Sequence, residues 1–210
     1  MKSDLRPLAG LIAGIARIVS GVQVTWDDVR PEARQSVFFA NHTSHLDFVV
    51  LWSSLPPEVR ALTRPVAAED YWSKGMRRDV AVGIFNAVLV PRHHVGGGSD
   101  VQAGTAIDRL ADAMGERFSL IMFPEGTRGT GEEVAPFKSG LYYLCARKPA
   151  LQLVPAYLEN LNRILPKGEF LPVPFISKLS FGAPTFLQPS EPKQAFLDRM
   201  RDAVCELRSR

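Results

Sequence analysis

Residues 36–47, with the sequence SVFFANHTSHLD, consist of a short apolar run followed directly by a polar motif. The apolar part, Ser36–Ala40, predicts a buried strand, because an uncharged run of this length suits the interior of a sheet. The polar part begins where that strand ends and places His42 five residues before Asp47. Open α/β sheets form their sites at strand ends, so the stretch predicts a central strand and a candidate site together.

A second stretch, residues 118–128 with the sequence FSLIMFPEGTR, repeats this arrangement. It predicts a buried strand over Phe118–Phe123 that Pro124 ends. Glycine lets the main chain approach a ligand closely, a glutamate can accept hydrogen bonds from a polyol, and an arginine can bind a phosphate through its fork of N–H groups. A surface turn with an ion pair is the alternative. The candidate ligand-binding residues are Glu125, Gly126, Thr127 and Arg128.

His42 and Asp47 suit general-base chemistry on a hydroxyl. Histidine can take a proton near neutral pH, and a carboxylate on its other ring nitrogen would fix the tautomer. The two would lie about 140° apart on one regular helix, so we expect His42 in the turn before a helix and Asp47 in its first turn, with Ser44 as N-cap. Two alternatives stay open: Asp47 only caps the helix, or His42, His45 and Asp47 bind a metal, for which the remaining ligands are missing.

A third candidate is Arg92, which follows the apolar run Val80–Val90 and Pro91. Its guanidinium could bind a phosphate, and a solvated loop arginine is the alternative. The two cysteines, Cys145 and Cys205, occur in no CxxC pattern, which is typical of reduced thiols in a cytosolic protein.

Strands and helices alternate along the chain, which predicts an α/β fold: a single domain with a mixed central sheet flanked by helices. Beyond the stretches above, the patterns predict four helices and further strands. The helices are expected near residues 46–55, after Ser99 with a buried face over 107–114, near 137–146 and near 196–207. A strand is expected at 151–158, broken at Pro155, and the segments 178–181 and 185–187 flank a turn. We place the domain boundary after residue 24, with 1–24 as an N-terminal helix and 25–210 as the main domain.

The N-terminal segment predicts a short amphipathic helix. Arg17 interrupts its apolar run, so a full membrane span is not expected, and a secretory signal peptide is the weaker alternative. The apolar stripe would either pack on the domain or lie in a membrane interface. The stripe consists of Leu8, Leu11, Ile12, Ile15, Ile18, Val19 and Val22.

Composition excludes several classes of protein. The chain has 210 residues, of which 46% are hydrophobic and 22% charged, as expected of an ordinary globular domain. Its net charge of +3 is too small to indicate nucleic-acid binding, and it has no long basic run. A mildly basic chain is compatible with an anionic substrate or an anionic membrane surface.

Together the motifs resemble the glycerolipid acyltransferase family typified by 1-acyl-sn-glycerol-3-phosphate acyltransferase. Four blocks match in order over about residues 20–190. Many relatives have serine where this chain has Gly129, and many carry a longer N-terminal helix pair. The matching blocks are NHTSHLD at 41–47, GIF at 83–85 through VPR at 90–92, FPEGTR at 123–128 and LVPA at 153–156.

The resemblance implies transfer of an acyl group from acyl-CoA or acyl-carrier protein to a lysophospholipid, with phosphatidic acid as the leading product. It implies that His42 is the base, that Asp47 orients it, and that Glu125 positions the hydroxyls of the acceptor. Arg92 and Arg128 would bind the anionic head group, with Gly126 and Thr127 in the same block. No metal and no cofactor are expected.

The resemblance also implies a peripheral location on the cytoplasmic, inner face of a membrane. Another acceptor, such as a lyso-aminolipid, is the alternative within the class. The alternatives from other classes are a metal-dependent hydrolase and a lipid-binding module without activity.

Overall fold

A seven-stranded mixed sheet forms the frame of the protein within the residues that the computed structural model describes, which are 6–27, 34–69, 79–91, 100–164 and 176–209. The strands are β1 Gln23–Trp26, β2 Ser36–Ala40, β3 Thr63–Ala68, β4 Val88–Val90, β5 Ser119–Met122, β6 Gln152–Glu159 and β7 Lys178–Phe181. Their order in the sheet is β1-β7-β6-β2-β5-β3-β4. Among the pairings of these strands only β6–β7 is antiparallel, so the carboxyl ends of β2 to β6 meet at one edge of the sheet.

Helices cover both faces of this sheet. The described helices are α1 Arg6–Ser20, α2 Asp47–Ser54, α3 Pro57–Arg60, α4 Asp100–Met114, α5 Gly140–Arg147, α6 Leu161–Ile164 and α7 Lys193–Glu206. A π-helical turn at Val80–Ile84 precedes β4, and a 3-10 turn at Leu207–Ser209 follows α7. Successive side chains of β2 point to opposite faces of the sheet. Val37 and Phe39 therefore belong to a core with α4, α5 and α7, whereas Phe38 and Ala40 belong to a core with α1 and α2.

The α/β architecture with a mixed sheet in a single domain is therefore confirmed, with two differences in detail. The sequence did not indicate β1 or β3 as strands. The predicted break at Pro155 is wrong, because β6 runs without interruption from Gln152 to Glu159. On the β7 side, the register passes from the Leu153–Thr185 bridge to the Ala156–Phe181 pair. Pro155 lies between these two paired positions, where its carbonyl accepts the N–H of Gly182 over 2.9 Å. Its missing N–H removes no bond of the β6–β7 ladder, which begins at Ala156.

The N-terminal helix α1 packs on α2, but its predicted apolar stripe does not form most of the contact. Ala13 and Ser20 are buried, whereas Leu11, Ile15 and Ile18 are 61%, 52% and 82% exposed. The helix ends at Ser20 and β1 begins at Gln23, before the boundary expected at residue 24. Within the described residues, no helix has both the length and the apolar character needed to cross a bilayer.

Candidate active site

The turns that follow the neighbouring parallel strands β2 and β5 lie side by side at the carboxyl edge of the sheet. At the end of β2, the side chain of Asn41, in place of the main chain, forms the hydrogen bonds to β6. Its Nδ2 donates to the carbonyl of Leu158 over 2.9 Å, and its Oδ1 accepts the N–H of Leu158 over 2.8 Å. The main chain is therefore released from the sheet at His42, while the strand end stays anchored.

His42 and Asp47 form the close pair that the sequence predicts. The Nδ1 atom of His42 lies 2.8 Å from Oδ2 of Asp47, and the aspartate side chain is fully buried. With the carboxylate as acceptor, Nδ1 carries the proton and Nε2 is left with a free lone pair. The ring of His42 stacks on that of Phe123, with centroids 4.3 Å apart and planes 20° apart. The imidazole is thus held on one edge and one face.

The helix start differs from the capping pattern expected from the sequence. Helix α2 begins at Asp47, and the cap position is occupied by Leu46, which makes no side-chain capping bond. Oδ2 of Asp47 instead accepts the main-chain N–H groups of Thr43 over 2.6 Å and Ser44 over 2.8 Å. Ser44 is therefore not the N-cap. The aspartate stabilises the preceding turn, which carries His42, and does not cap its own helix.

Glu125 lies beneath this turn, with 3% of its surface exposed. Its Oε1 accepts the main-chain N–H of His42 over 2.7 Å, and its Oε2 accepts that of Ala135 over 2.9 Å. Burial raises the pKa of this carboxyl above its ordinary value, although both N–H groups oppose that shift. The sequence suggests a contact with substrate hydroxyls. The geometry favours a different task, which is to fix the main chain of His42.

A cavity of about 320 Å³ opens in front of His42. Three residues of the second motif, Gly126, Thr127 and Arg128, line it as expected, and Glu125 is not among its lining residues. The lining residues of the cavity include polar and cationic side chains as well as apolar ones. The apolar lining residues include Val66, Ala67, Ala68, Val90, Met122 and Leu141.

Lys138 is a lining residue that the sequence did not single out. Its main-chain N–H donates to the carbonyl of Pro124 over 2.8 Å, which ties it to the second motif. A Cβ atom added to Gly126, whose φ is +69°, would lie 2.9 Å from the Nζ of Lys138. The lysine side chain therefore lies directly over this glycine. In the sequence, the one feature that could have pointed to Lys138 as a site residue is its position just before α5. A single lysine in a loop has no distinctive spacing, so the sequence does not single it out.

Arg92 lies outside the described residues. Within those residues, no group of three or more His, Cys, Asp or Glu side chains is arranged to hold a metal ion. The described site therefore consists of a histidine–aspartate pair beside a cavity with two cationic side chains, Arg128 and Lys138.

Comparisons with known proteins show similarity in sequence and in fold. The chain is 25% identical over 201 residues to the 1-acyl-sn-glycerol-3-phosphate acyltransferases of Limnanthes douglasii and Limnanthes alba, covering 92% of this chain. The chain spans 64% of the length of those relatives.

The fold is similar to that in the crystal structure of the 1-acyl-sn-glycerophosphate acyltransferase PlsC of Thermotoga maritima, with a TM-score of 0.73 and 18% identity. That match covers 100% of this chain and 82% of the other. The sequence profile of the Acyltransferase family matches residues 21–159, which include β2, β5 and both motifs. The chain therefore belongs to the acyltransferase family.

Proposed function

We propose that this protein transfers an acyl group from acyl-CoA or acyl-carrier protein to the hydroxyl of a lysophospholipid, with 1-acyl-sn-glycerol-3-phosphate as the leading acceptor. The observation that carries the proposal is the pairing of His42 with Asp47 at a cavity that also contains Arg128 and Lys138. A base and two cations at one cavity suit an acceptor that has both a hydroxyl and a phosphate. The names of the relatives point to the same acceptor.

In the proposed reaction, Nε2 of His42 removes the proton of the acceptor hydroxyl. The oxygen then attacks the thioester carbonyl carbon, and a tetrahedral intermediate forms. When the intermediate collapses, the carbon–sulfur bond breaks and the thiolate takes the proton back from His42. Asp47 stabilises the imidazolium that exists between these two steps. The chemistry balances without a metal or a cofactor.

Acceptor binding is assigned to the cationic lining residues of the cavity. The guanidinium of Arg128 can bind two phosphate oxygens, and Lys138 adds a second positive charge beside Gly126. Arg92 stays in the proposal as a third cation, and Thr127 can donate a hydroxyl hydrogen bond. The apolar lining residues, which include Ala68 and Leu141, suit an acyl chain.

A lipid acceptor also needs access from a membrane. The exposed apolar side chains of α1, of which Ile18 is the most exposed, form a face suited to the boundary between head groups and acyl chains. We propose that this face lies on the cytoplasmic leaflet, where both donors would reach the cavity.

The test is an assay of acyl transfer from labelled acyl-CoA and acyl-carrier protein to a panel of acceptors. The panel contains lysophosphatidic acid, a lyso-aminolipid and monoacylglycerol, and each reaction is run with native protein and His42→Ala. We expect transfer to lysophosphatidic acid to fall by at least about 10²-fold in the variant, as for loss of a general base.

Transfer that survives His42→Ala would contradict the mechanism. A preference for the lyso-aminolipid would replace the proposed acceptor. Activity lost on chelation of metals would favour the hydrolase alternative. An unchanged cellular role for His42→Ala, with no transfer by the native protein, would favour the lipid-binding module.

A further inference from the structure

A second cavity, of about 600 Å³, lies between α1, β1 and the turn that joins α2 to α3. It shares no lining residue with the cavity at His42. Asp47 begins α2, whereas Ser54, which ends it, lines the second cavity. Asp47 and this cavity therefore lie at opposite ends of a helix roughly 12 Å long.

Two arginines give this cavity a positive character. Arg17 comes from α1 and Arg60 from α3, and Glu58 is the one acidic residue among those lining residues that the structure describes. The pKa of Arg60 is lowered by burial first and by the positive charge of Arg17 second, and Glu58 only partly opposes this. The two guanidinium groups therefore repel each other across the cavity.

The fold holds Arg60 in place despite this repulsion. Its Nη1 donates to the carbonyl of Ser53 over 3.3 Å, and its guanidinium carbon lies 5.3 Å from the ring centroid of Trp52. A side chain held by a carbonyl and an aromatic face has already lost much of its rotamer freedom, so less entropy is lost when it binds a ligand.

Hydrogen-bonding capacity at the cavity is left unused by the described part of the chain. Neither Arg17 nor Arg60 forms an ion pair with a described carboxylate. Because both guanidinium groups are cationic donors, a ligand with anionic acceptor oxygens would satisfy them.

We propose that this second cavity binds a phosphate group between Arg17 and Arg60, separately from the acyl-transfer site. Paired guanidinium groups match the oxygens of a phosphate, and Trp26 and Leu55 provide an apolar wall for the body of a phosphate ester. The phosphate could belong to a membrane phospholipid or to a soluble phosphate ester. The exposed apolar face of α1 belongs to the same helix as Arg17, which favours the membrane source.

The test reads the two arginines directly. The Nε–H resonances of Arg17 and Arg60 are followed by NMR during titration with sn-glycerol 3-phosphate. Binding to a membrane is measured by co-sedimentation with phosphatidylcholine vesicles, with and without phosphatidylglycerol. The variants are Arg60→Gln and Arg60→Lys, and Arg109→Gln is the matched control because Arg109 is an exposed arginine on α4. Thermal melts verify that each variant folds.

We expect both resonances to shift along one saturable curve, and Arg60→Gln to weaken the curve of Arg17 at least about tenfold, as for loss of a charged hydrogen bond. Arg60→Lys should retain part of the affinity. If Arg60→Gln weakens sedimentation with phosphatidylglycerol vesicles and Arg109→Gln does not, the bound phosphate belongs to a lipid. If sedimentation is unchanged, the bound phosphate belongs to a soluble ester. The proposal is overturned if the resonance shifts do not saturate. It is also overturned if Arg60→Gln changes neither the titration curve of Arg17 nor the sedimentation with vesicles. Because Arg17 is observed directly, the result does not depend on acyl-transfer activity.

Discussion

Oδ2 of Asp47 lies 2.8 Å from Nδ1 of His42, and the same oxygen accepts the main-chain N–H groups of Thr43 and Ser44. One buried atom therefore sets both the tautomer of the imidazole and the shape of the turn that carries it. The chemistry and the local fold depend on the same carboxylate.

Asp47→Asn is expected to lower kcat by about 10²- to 10⁴-fold, because an amide no longer favours the Nδ1–H tautomer and no longer stabilises the imidazolium. The measurement is steady-state acyl transfer. His42→Ala is the reference, and the double variant should be no slower than the slower single variant, since the two residues act as a unit. Additive losses would show that Asp47 acts separately from His42.

Glu125→Gln is expected to lower kcat more than it raises the KM for the acceptor, because Glu125 contacts the main chain of His42 and not the cavity. In this variant the side-chain NH₂ group would face the main-chain N–H of either His42 or Ala135, and two donors cannot form a hydrogen bond. We expect this contact to lower the free energy of unfolding by about 1–3 kcal/mol. A change confined to acceptor KM would instead support direct contact with the substrate.

The pH dependence of stability should report on the same carboxyl. Burial raises the pKa of Glu125 above its ordinary value of 4.5, so the folded chain holds this proton more tightly than the unfolded chain. Its contribution is fully present below pH 4.5 and is lost as the pH rises through the folded pKa. The difference in unfolding free energy between native protein and Glu125→Gln, measured by denaturant titration, should therefore shrink with rising pH across that window. A difference that grows with pH would show that the two N–H groups outweigh burial.

Lys138→Gln is expected to raise the KM for lysophosphatidic acid by about tenfold, because one charge-assisted contact with the phosphate is lost. Transfer to monoacylglycerol, which has no phosphate, is the matched control and should change little. Arg128→Gln should show the same selectivity. Equal losses with both acceptors would exclude a role for these cations in phosphate recognition.

Gly126→Ala should impair activity without removing any charged group. At a φ of +69°, a side chain is strained, and its Cβ would lie 2.9 Å from the lysine side chain above it. We expect a loss of about 1–2 kcal/mol in stability and a higher acceptor KM, because Lys138 must move. Gly129→Ala is the control, since its nearest contact, to Glu125, is 3.6 Å and no positive φ is involved. Similar losses in both variants would argue against the steric explanation.

Ile15→Gln with Ile18→Gln should weaken vesicle binding by about thirtyfold, or about 2 kcal/mol, if these exposed side chains enter the interface. Phe186→Gln is the control, because Phe186 is an exposed apolar residue outside α1. Co-sedimentation with vesicles measures the effect. If the α1 variant and the Phe186→Gln control bind vesicles equally well, α1 does not form the proposed membrane contact.

The sequence indicated most of the strands but neither β1 nor β3, and the reason is clearest for β3. Arg64 and Pro65 interrupt the pattern of that strand. In the fold, the guanidinium of Arg64 leaves the sheet and donates to the carbonyls of Asn86 and Ala113, both over 2.8 Å. Its stem can therefore lie in a strand while its charge is satisfied elsewhere. Those partners are distant in sequence, so no local pattern could indicate them.

The candidate site was predictable to a similar degree. The spacing of His42 and Asp47 required a turn before a helix, and the turn is present. The task of Glu125 was not predictable, because its partners are two main-chain N–H groups brought together only by the fold. Lys138 was missed for the same reason, since only the folded chain places it over Gly126.

The bonds between Asn41 and Leu158 have a consequence for the newly made protein. The two residues are 117 positions apart in the chain, yet together they fix the point where β2 releases its main chain into the turn of His42. A ribosome that has made the chain as far as residue 125 has already made His42, Asp47 and Glu125, but not β6, the strand that anchors their turn. A nascent chain should therefore stay inactive until β6 has emerged and paired, so that acyl transfer begins only after most of the domain has been synthesised.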